Sequence, residues 1–331
     1  MDIANPRAWR PGPDPEEPFL KVLVTGGSGI VGHYVIDELL RNGYEVVNAD
    51  KVRWGNLSHS GTAGAAQAAA VTMRAAWSRL PTFIEVDVTD YGQVISAMDG
   101  CGAVVHLAAC PSAAYYTEEF VFFTNTTSMW NVMRAAEQLK VRKVVLGSSY
   151  NAVGAMGTAA RWAPRQVKPP EYFPLDHEVG TRAEDPYSVA KWLGEQTADA
   201  FARRNPETQY SNMRFNGMWD DERFRELHRS PVTDPWVRCQ GFWTYLHIKD
   251  AATACRMAIE SEGWAGSEKF FLNADDTMIA VETMEALRLV YPNVPLRKEF
   301  VRHEAPISTE RARQLINWRP KYSWRDRAFA G

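Results

Sequence analysis

The sequence predicts an α/β fold: a doubly wound, mostly parallel β-sheet with a smaller C-terminal part. Two observations predict it. Apolar, β-branched runs alternate with segments of helical periodicity from residue 20 to about residue 150, and the first run ends in a cluster of glycines. Strands that alternate with helices form βαβ units, whose helices cover both faces of a parallel sheet. After about residue 154 the alternation becomes irregular, which indicates a second, smaller part.

Five strands are predicted in the first half of the chain. Residues 20–25 read LKVLVT, which is typical of a buried strand that leads into a turn. Apolar residues then recur at helical spacing from Ile30 to Leu40, and Asn42 with Gly43 ends that helix. Residues 55–76, rich in Ala, Gly and Ser, are compatible with an Ala-rich helix or a mobile excursion. The predicted strands are residues 20–25, 44–50, 82–88, 103–109 and 143–149.

The second half of the chain contains a predicted loop, a helix and a strand. Residues 164–174 predict a long loop of the kind that often forms a lid. Asp185 is predicted as a helix N-cap, with Pro186 at the first helical position. Residues 209–215 predict another strand, which leads into an irregular region rich in aromatic and charged residues.

The composition of the 331 residues excludes several classes of protein. The 37 basic and 40 acidic residues leave a formal charge of −3, so no basic field favours nucleic acid or a charged membrane surface. No apolar run approaches the ~20 residues of a membrane span. The four cysteines form no CxxC pair and have no histidines at zinc spacing. We therefore expect a cytoplasmic protein without a structural metal.

A glycine pattern follows the first strand. Gly26, Gly29 and Gly32 lie between that strand and a helix, where backbone N–H groups can bind a pyrophosphate. Asp50 ends the next strand, and a carboxylate there accepts the ribose hydroxyls and repels a 2′-phosphate, which favours NAD over NADP. Arg53 nearby weakens this preference. A plain tight turn and a strand-end aspartate are the alternatives.

Two polar pairs in the sequence can carry chemistry. Tyr187 and Lys191 are four residues apart, so on a helix they share a face, where the ammonium can lower the pKa of the phenol. Ser148 and Ser149 end the strand 143–149, at the edge of a parallel sheet that faces ligands. Taken singly, a surface Tyr–Lys pair and a capping serine explain these residues equally well.

Taken together and in this chain order, these features resemble the short-chain dehydrogenase/reductase superfamily, and in particular its extended branch, the NAD-dependent epimerase/dehydratase family. The resemblance runs from about Lys21 to about Trp324. It implies a Rossmann-type sheet that binds NAD. The segments that carry it are TGGSGIVG (25–32), Asp50, DVTD (87–90), HLAA (106–109), NTTSMWN (125–131), SSYNAVG (148–154), YSVAK (187–191), RFN (214–216), YLHIKDAA (245–252) and NWRP (317–320).

The resemblance implies a role for each matching residue. Ser149, Tyr187 and Lys191 match the catalytic residues, with Tyr187 as the acid/base. Lys191 would also bind the nicotinamide ribose and lower the pKa of Tyr187. The implied cofactor-binding residues are Gly26, Ser28, Gly29, Ile30, Gly32, Asp50, Asp87, Val88, Leu107, Ala108, Ala109, Asn125, Tyr187 and Lys191. The implied substrate-binding residues are Ser149, Tyr150, Asn151, Asn216 and Trp243, and no metal is implied.

The sequence departs from the family pattern at the substrate side. Nucleotide-sugar enzymes usually carry an arginine that binds the diphosphate where this chain has Trp243. Losing a charge-assisted contact costs ~1.5–3 kcal/mol, which disfavours UDP- or dTDP-sugars. Residues 148–154 also resemble a segment of hexuronate dehydrogenases, which favours oxidation of a free sugar or sugar acid. The arginines that could bind a phosphate instead are Arg223, Arg225, Arg229 and Arg238.

Our hypothesis is therefore NAD-dependent oxidation of a sugar-like hydroxyl, with a small molecule as the partner. The alternatives are a nucleotide-sugar epimerase or dehydratase, a reductase of a non-sugar carbonyl, and a non-catalytic NAD-sensing protein. We expect an N-terminal tail at residues 1–19 and an NAD-binding domain at 20–210. Residues 211–331 are expected to form most of the substrate-binding part, interleaved with 155–180. The resemblance also implies a homodimer.

Overall fold

The computed structural model of the chain describes residues 20–53, 73, 77, 79–111, 116–154, 165 and 167–330. The predicted tail at 1–19 lies outside the described residues, as do all but one residue of 55–76. Residues 155–164 and 166, which include part of the predicted loop, also lie outside them.

Seven parallel strands form one sheet in the order β3-β2-β1-β4-β5-β6-β9. This confirms the predicted doubly wound sheet. The chain runs from β1 to β2 and β3 on one side, and then crosses to β4 and the strands beyond it. Such a reversal leaves a crevice at the carboxyl ends of β1 and β4, where α/β proteins bind ligands. The strands are β1 (Lys21–Thr25), β2 (Glu45–Asp50), β3 (Thr82–Glu85), β4 (Ala103–His106), β5 (Lys143–Ser149), β6 (Gln209–Phe215) and β9 (Gly266–Leu272).

Helices cover both faces of the sheet, each burying an apolar stripe against the β-branched residues of the strands. One face carries α1, α6 and α8, and the other carries α2, α3 and α4. The helices are α1 (Ile30–Arg41), α2 (Tyr91–Met98), α3 (Glu118–Gln138), α4 (Pro186–Arg204), α5 (Asp221–Arg229), α6 (Ile248–Glu260), α7 (Thr283–Val290) and α8 (Glu310–Ile316).

The predicted elements agree closely with those observed. Strands β5 and β6 have the predicted bounds, and Asp185 caps α4 by accepting hydrogen bonds from the backbone N–H groups of Tyr187 and Ser188. The sequence did not indicate β9, which pairs in parallel with β6. The sheet therefore extends beyond residue 210 and includes chain from the segment expected to form the substrate-binding part.

A second apolar core is built by chain that follows β5, β6 and β9. It contains large buried aromatic residues, among them Phe173, Trp243 and Tyr245. The short strands β7 (Met218–Trp219) and β8 (Leu246–His247) pair in parallel beside it. This core is the predicted smaller part of the fold.

A buried carboxylate on α6 holds the C-terminal segment to the sheet. Asp250 accepts hydrogen bonds from the backbone N–H groups of Lys321 (3.0 and 3.1 Å) and Tyr322 (3.1 Å). The indole of Trp318 donates to the Asp250 carbonyl at 3.1 Å. Burial raises the pKa of Asp250 to about 6, while the two backbone N–H groups oppose that shift. Among the described helices, none is long and apolar enough to cross a membrane.

Candidate active site

The glycine turn after β1 brings two backbone segments closer than a side chain would allow. Gly26 has φ +70°, and a Cβ there would lie 2.6 Å from the Ala108 nitrogen. A Cβ at Gly32 would lie 2.3 Å from the Gly26 carbonyl oxygen. Both distances are shorter than any real contact, so these positions require glycine. The turn is therefore a cradle in which only backbone faces the crevice.

The first turn of α1 can receive an anion. Gly29 is its N-cap and offers no side-chain acceptor, and the first turn, which begins at Ile30, contains no acidic residue. The N–H groups of a helix start carry partial positive charge and need acceptors. A pyrophosphate fits this requirement, so the observed turn fits the dinucleotide that the sequence predicts.

Asp50 lies beside the glycine turn, as predicted. Its carboxylate accepts hydrogen bonds from the backbone N–H of Ser28 at 3.0 Å and of Val52 at 3.3 Å. Burial raises its pKa, and these bonds oppose the shift. Beneath the turn, the Asn48 amide donates to Ser28 Oγ at 3.0 Å. The sequence analysis missed Asn48; a polar residue in an otherwise apolar strand was the available signal.

The remaining predicted cofactor residues line the neighbouring strand ends. Asp87 pairs with Lys51 at 3.0 Å. After β4, the Ala108 N–H lies 3.4 Å from Thr25 Oγ1. Asn125 on α3 binds both the N–H (2.8 Å) and the carbonyl (3.0 Å) of Cys110, which holds that loop in place. The structure therefore brings the following predicted residues to one edge of the sheet: Gly26, Ser28, Gly29, Asp50, Asp87, Val88, Leu107, Ala108, Ala109 and Asn125.

The three predicted catalytic residues converge at the end of β5. Tyr187 in the first turn of α4 forms a side-chain hydrogen bond with Ser149, the last residue of β5. Lys191, one turn further along α4, donates to the carbonyl of Gly147. Its Nζ lies 5.6 Å from the centroid of the Tyr187 ring. A hydroxyl, a phenol and an ammonium group therefore meet at the end of β5, at the same edge of the sheet as the glycine turn.

Burial dominates the ionisation of these residues. It raises the pKa of Tyr187, and so does Asp185, whereas the hydrogen bond with Ser149 lowers it. Burial also lowers the pKa of Lys191 to about 8, and the nearby Glu195 carboxylate opposes that shift. The resemblance implies that Lys191 lowers the pKa of Tyr187. In the structure the Lys191 ammonium donates to the Gly147 carbonyl. Burial of the phenol is the largest influence on the pKa of Tyr187, and it raises that pKa.

Tyr150 and Asn151 follow Ser149 in a short 3₁₀ turn (Tyr150–Val153). Burial raises the pKa of Tyr150 to about 12, and its hydroxyl oxygen would lie 3.1 Å from a Cβ placed on Gly241. The side-chain oxygen of Asn151 is buried without a hydrogen-bond partner in the described part of the chain. A buried acceptor of this kind needs a donor. Both positions are therefore compatible with contact to a polar ligand.

Trp243, which the resemblance implies as a substrate-binding residue, lies in the second core, and its role toward substrate stays a prediction. Its side chain is fully buried in the second core, where it packs against Tyr291 and donates to the Pro235 carbonyl at 2.7 Å. Asn216 is buried too: its side-chain oxygen accepts from Thr244 Oγ1 at 2.6 Å. In the structure, the Trp243 side chain is therefore held by packing and a hydrogen bond, and the Asn216 side chain by a hydrogen bond.

Arg238 differs from the other three arginines considered for anion binding. Arg223 pairs with Glu226, whereas Arg225 and Arg229 both pair with Glu222. The Arg238 guanidinium has no hydrogen bond or ion pair within the described ranges. It lies 5.3 Å from the Trp219 ring centroid, and Arg223 lies 5.5 Å from the same ring. Burial and Arg223 lower the pKa of Arg238, while Tyr150 opposes them.

The sequence is similar to those of known proteins. A family model described as the NAD-dependent epimerase/dehydratase family matches residues 22–218. The UDP-glucose 4-epimerase of Corynebacterium glutamicum is 24% identical over 335 residues, which cover 92% of each chain. The UDP-glucose 4-epimerase of Bacillus subtilis is 28% identical over 181 residues. That match spans 54% of this chain but only 46% of the relative, about half its length.

Two solved structures share the fold. UDP-glucose 4-epimerase from Bifidobacterium longum, in complex with NAD+ and UDP, has a TM-score of 0.64 at 16% identity. The superposition covers 93% of this chain and 96% of that chain. Uronate dehydrogenase from Agrobacterium tumefaciens has a TM-score of 0.59 at 14% identity, covering 92% of this chain and 85% of that one. An epimerase and a dehydrogenase thus resemble this chain almost equally in structure.

Proposed function

The chain belongs to the NAD-dependent epimerase/dehydratase family, and from this premise we propose that it oxidises one hydroxyl of a free sugar, a sugar acid or a similar small polyol. Its cofactor is NAD, which supplies the hydride acceptor when bound. The observation that carries the proposal is the convergence of Ser149, Tyr187 and Lys191 at the end of β5, at the same edge of the sheet as the glycine turn.

The geometry of the three side chains supports a general-base mechanism. Ser149 Oγ would hydrogen-bond the substrate hydroxyl and hold it against the Tyr187 phenol. Tyr187, as phenolate, would remove the hydroxyl proton while the carbon–hydrogen bond breaks. Lys191, buried one turn away, would stabilise the phenolate by its charge. The partly shielded site strengthens these interactions because its dielectric is lower than that of water.

Two observations favour a small, acidic substrate over a nucleotide sugar. Trp243 stands where nucleotide-sugar enzymes usually carry a diphosphate-binding arginine, and it lies in the core. Arg238 supplies a cation close enough to influence Tyr150, the residue after Ser149. A guanidinium binds a carboxylate through two parallel hydrogen bonds. The carboxylate of a sugar acid therefore suits Arg238, and we rank sugar acids above neutral sugars.

An absorbance assay tests the proposal. The purified protein is incubated with NAD and a panel of free sugars, uronic acids, aldonic acids and nucleotide sugars, and NADH formation is followed at the nicotinamide band. We expect net NADH from a free sugar or sugar acid, and faster turnover of the acid than of its neutral counterpart. The proposal fails if no member of the panel produces NADH.

The second candidate is a UDP-sugar 4-epimerase, which the names of the sequence relatives favour. An epimerase uses the same three side chains but returns the hydride to its substrate, so no NADH accumulates. Chromatography of the same reactions separates the two candidates, because a converted UDP-sugar without NADH indicates the epimerase. Conversion of a non-sugar carbonyl, or NAD binding without turnover, would instead support the remaining alternatives.

We also propose that the protein acts as a homodimer in the cytoplasm. Three large apolar side chains on one face of α3 are exposed, Phe120 by 44%, Phe123 by 58% and Trp130 by 49%. Their spacing of three and seven residues places them along one stripe, which a second copy can cover. All four cysteines are unpaired, as is typical of proteins in a reducing compartment.

A further inference from the structure

The last three residues of β5 each bind a different turn of α4. Residues four apart on a helix share one face, so the three partners on α4 lie along one side of it. Together they form a ladder that fixes the position of α4 along the strand. The three pairs are Ser149 with Tyr187, Gly147 with Lys191 and Ser148 with Glu195.

The third pair belongs to a buried ionic cluster that the proposed mechanism does not use. Glu195 is 1% exposed and accepts a hydrogen bond from Ser148 Oγ at 2.6 Å. Arg214 on β6 is 4% exposed and binds the same carboxylate with two nitrogens, at 2.9 and 2.8 Å. The Arg214 guanidinium also lies 5.1 Å from the Phe271 ring. The carboxylate is therefore satisfied from two strands at once.

A buried ionic cluster of this kind contributes little net free energy to the stability of a core. Removing both charges from water costs several kcal/mol per ion, and apolar residues of similar volume often stabilise a protein as well or better. The position of the cluster suggests another role, because Glu195 lies one helical turn beyond Lys191. Its carboxylate is the charged group that raises the pKa of Lys191 and so favours the ammonium, to which the Gly147 carbonyl also accepts a hydrogen bond.

The surroundings of Lys191 otherwise disfavour its charge. His106 on β4 is buried and interacts electrostatically with Lys191, and its own pKa is lowered to about 3, so it stays neutral. Tyr187 is the other titratable group on the same face of α4, and burial keeps it protonated at neutral pH. Arg214 adds a positive charge behind Glu195. Burial and the positive charge of Arg214 both disfavour the Lys191 ammonium, and the negative charge of the Glu195 carboxylate opposes both effects.

We propose that Glu195, clamped by Arg214 and Ser148, is a positioning residue that keeps the Lys191 ammonium charged and holds α4 in register with β5. The inference rests on the proposed function only in giving Lys191 a part in the reaction. Glu195 itself touches neither Tyr187 nor the crevice; it acts through Lys191 and through the ladder.

Two single variants with opposite charge effects test this. Glu195→Gln removes the negative charge and leaves Arg214, so the pH at which kcat/KM falls on the alkaline side should drop by about one unit. Arg214→Met leaves the carboxylate unbalanced beside Lys191, so the same limb should move to higher pH. Asp199→Asn is the control, since Asp199 lies one turn further along α4 and pairs with Lys269 on β9 at 2.8 Å. In this variant, the pH at which kcat/KM falls on the alkaline side should stay at its wild-type value.

A second measurement needs neither substrate nor cofactor. The protein is labelled with ¹³C at the lysine ε-carbon, and the Lys191 signal is identified by its loss in Lys191→Met. Its titration midpoint should move down in Glu195→Gln and up in Arg214→Met. If no substrate is found for the enzyme, this titration still decides the role of Glu195.

A purely structural role predicts a different result. Both variants would then lose activity equally at every pH, or both midpoints would move in the same direction, and either outcome overturns the proposal. If a single variant does not fold, the Glu195→Met/Arg214→Met double variant replaces both charges by apolar side chains of similar volume. Its Lys191 midpoint should lie between those of the wild type and Glu195→Gln, and a midpoint below that of Glu195→Gln also overturns the proposal.

Discussion

At the scale of single residues, the chemistry depends on how burial shifts three titratable groups. Burial raises the pKa of Tyr187, and lowers those of Lys191 and His106. Each shift disfavours the charged form, as expected for groups removed from water. The Tyr187 phenol therefore keeps its proton at neutral pH, and Ser149 is the side chain that lowers its pKa by hydrogen bonding.

Tyr187→Phe should reduce turnover by roughly 10²- to 10⁴-fold, because it removes the proton acceptor. NAD affinity should change little, since the ring and its packing remain. Initial rates and calorimetric titration with NAD measure the two quantities. Tyr91→Phe, at a partly buried tyrosine that donates to Gln138, is the matched control. Activity that survives in Tyr187→Phe would show that another group is the base.

His106 should make the protein sensitive to acid. Its pKa is about 3 in the fold, against about 6.5 when unfolded, and its Nδ1 lies 2.7 Å from Thr25 Oγ1. The unfolded chain binds the extra proton, so this residue costs no stability above about pH 6.5, and stability falls by about 1.4 kcal/mol per pH unit from there down to about pH 3. Urea unfolding at several pH values should therefore show a shallower acid slope in His106→Gln. His177→Gln, at a partly exposed histidine, should keep the wild-type slope.

At the scale of elements, the site is formed where strand ends meet helix starts. The turn between β1 and α1 presents backbone N–H groups, whereas β5 and α4 present side chains. Parallel strands bring these junctions to one edge of the sheet. The proposed chemistry thus draws on two junctions that are far apart in sequence and lie at the same edge of the sheet, with β4 between their strands.

Gly32→Ala tests how closely the first junction is packed. The added Cβ would lie 2.3 Å from the Gly26 carbonyl oxygen, so the turn must move. Overpacking of this kind costs about 1–3 kcal/mol, and NAD binding should weaken by about tenfold or more. Gly180→Ala is the control, because its Cβ meets the Glu171 side chain at 3.5 Å, an ordinary contact. Unchanged NAD affinity in Gly32→Ala would argue against this turn as the dinucleotide site.

At the scale of the whole molecule, the sheet and the second core enclose the crevice together. Backbone N–H groups of the C-terminal segment donate to the Asp250 carboxylate on α6. Strand β9 pairs with β6 at the edge of the sheet. The described surface also presents the apolar stripe of Phe120, Phe123 and Trp130 on α3. That stripe is where we expect the second subunit to bind.

Trp130→Glu should shift the protein from dimer to monomer, because it places a charge in the middle of an apolar contact. Sedimentation equilibrium measures the change. Leu289→Glu is the control: Leu289 is 54% exposed on α7, away from the stripe. A wild-type protein that sediments as a monomer would remove the basis for the proposed dimer.

Much of the fold and part of the site could be predicted because their signals are local. The glycine turn, the Asp185 cap with Pro186 and the apolar runs depend on neighbours within a few residues. Strand β9 could not be predicted in the same way. Its sequence, GSEKFFL, has no clear alternation, and its place depends on pairing with β6, about 57 residues earlier.

The sequence by itself determined the sheet and the glycine turn, since short spacings encode them, and its resemblance to the family named Ser149, Tyr187 and Lys191 as the predicted catalytic residues. Only the tertiary structure decided that Trp243 lies in the core and that Arg214 reaches Glu195. Burial and ion pairing between distant segments depend on which surfaces meet after folding. The same side chain can be a ligand contact or a core residue, and only its neighbours in space distinguish the two roles.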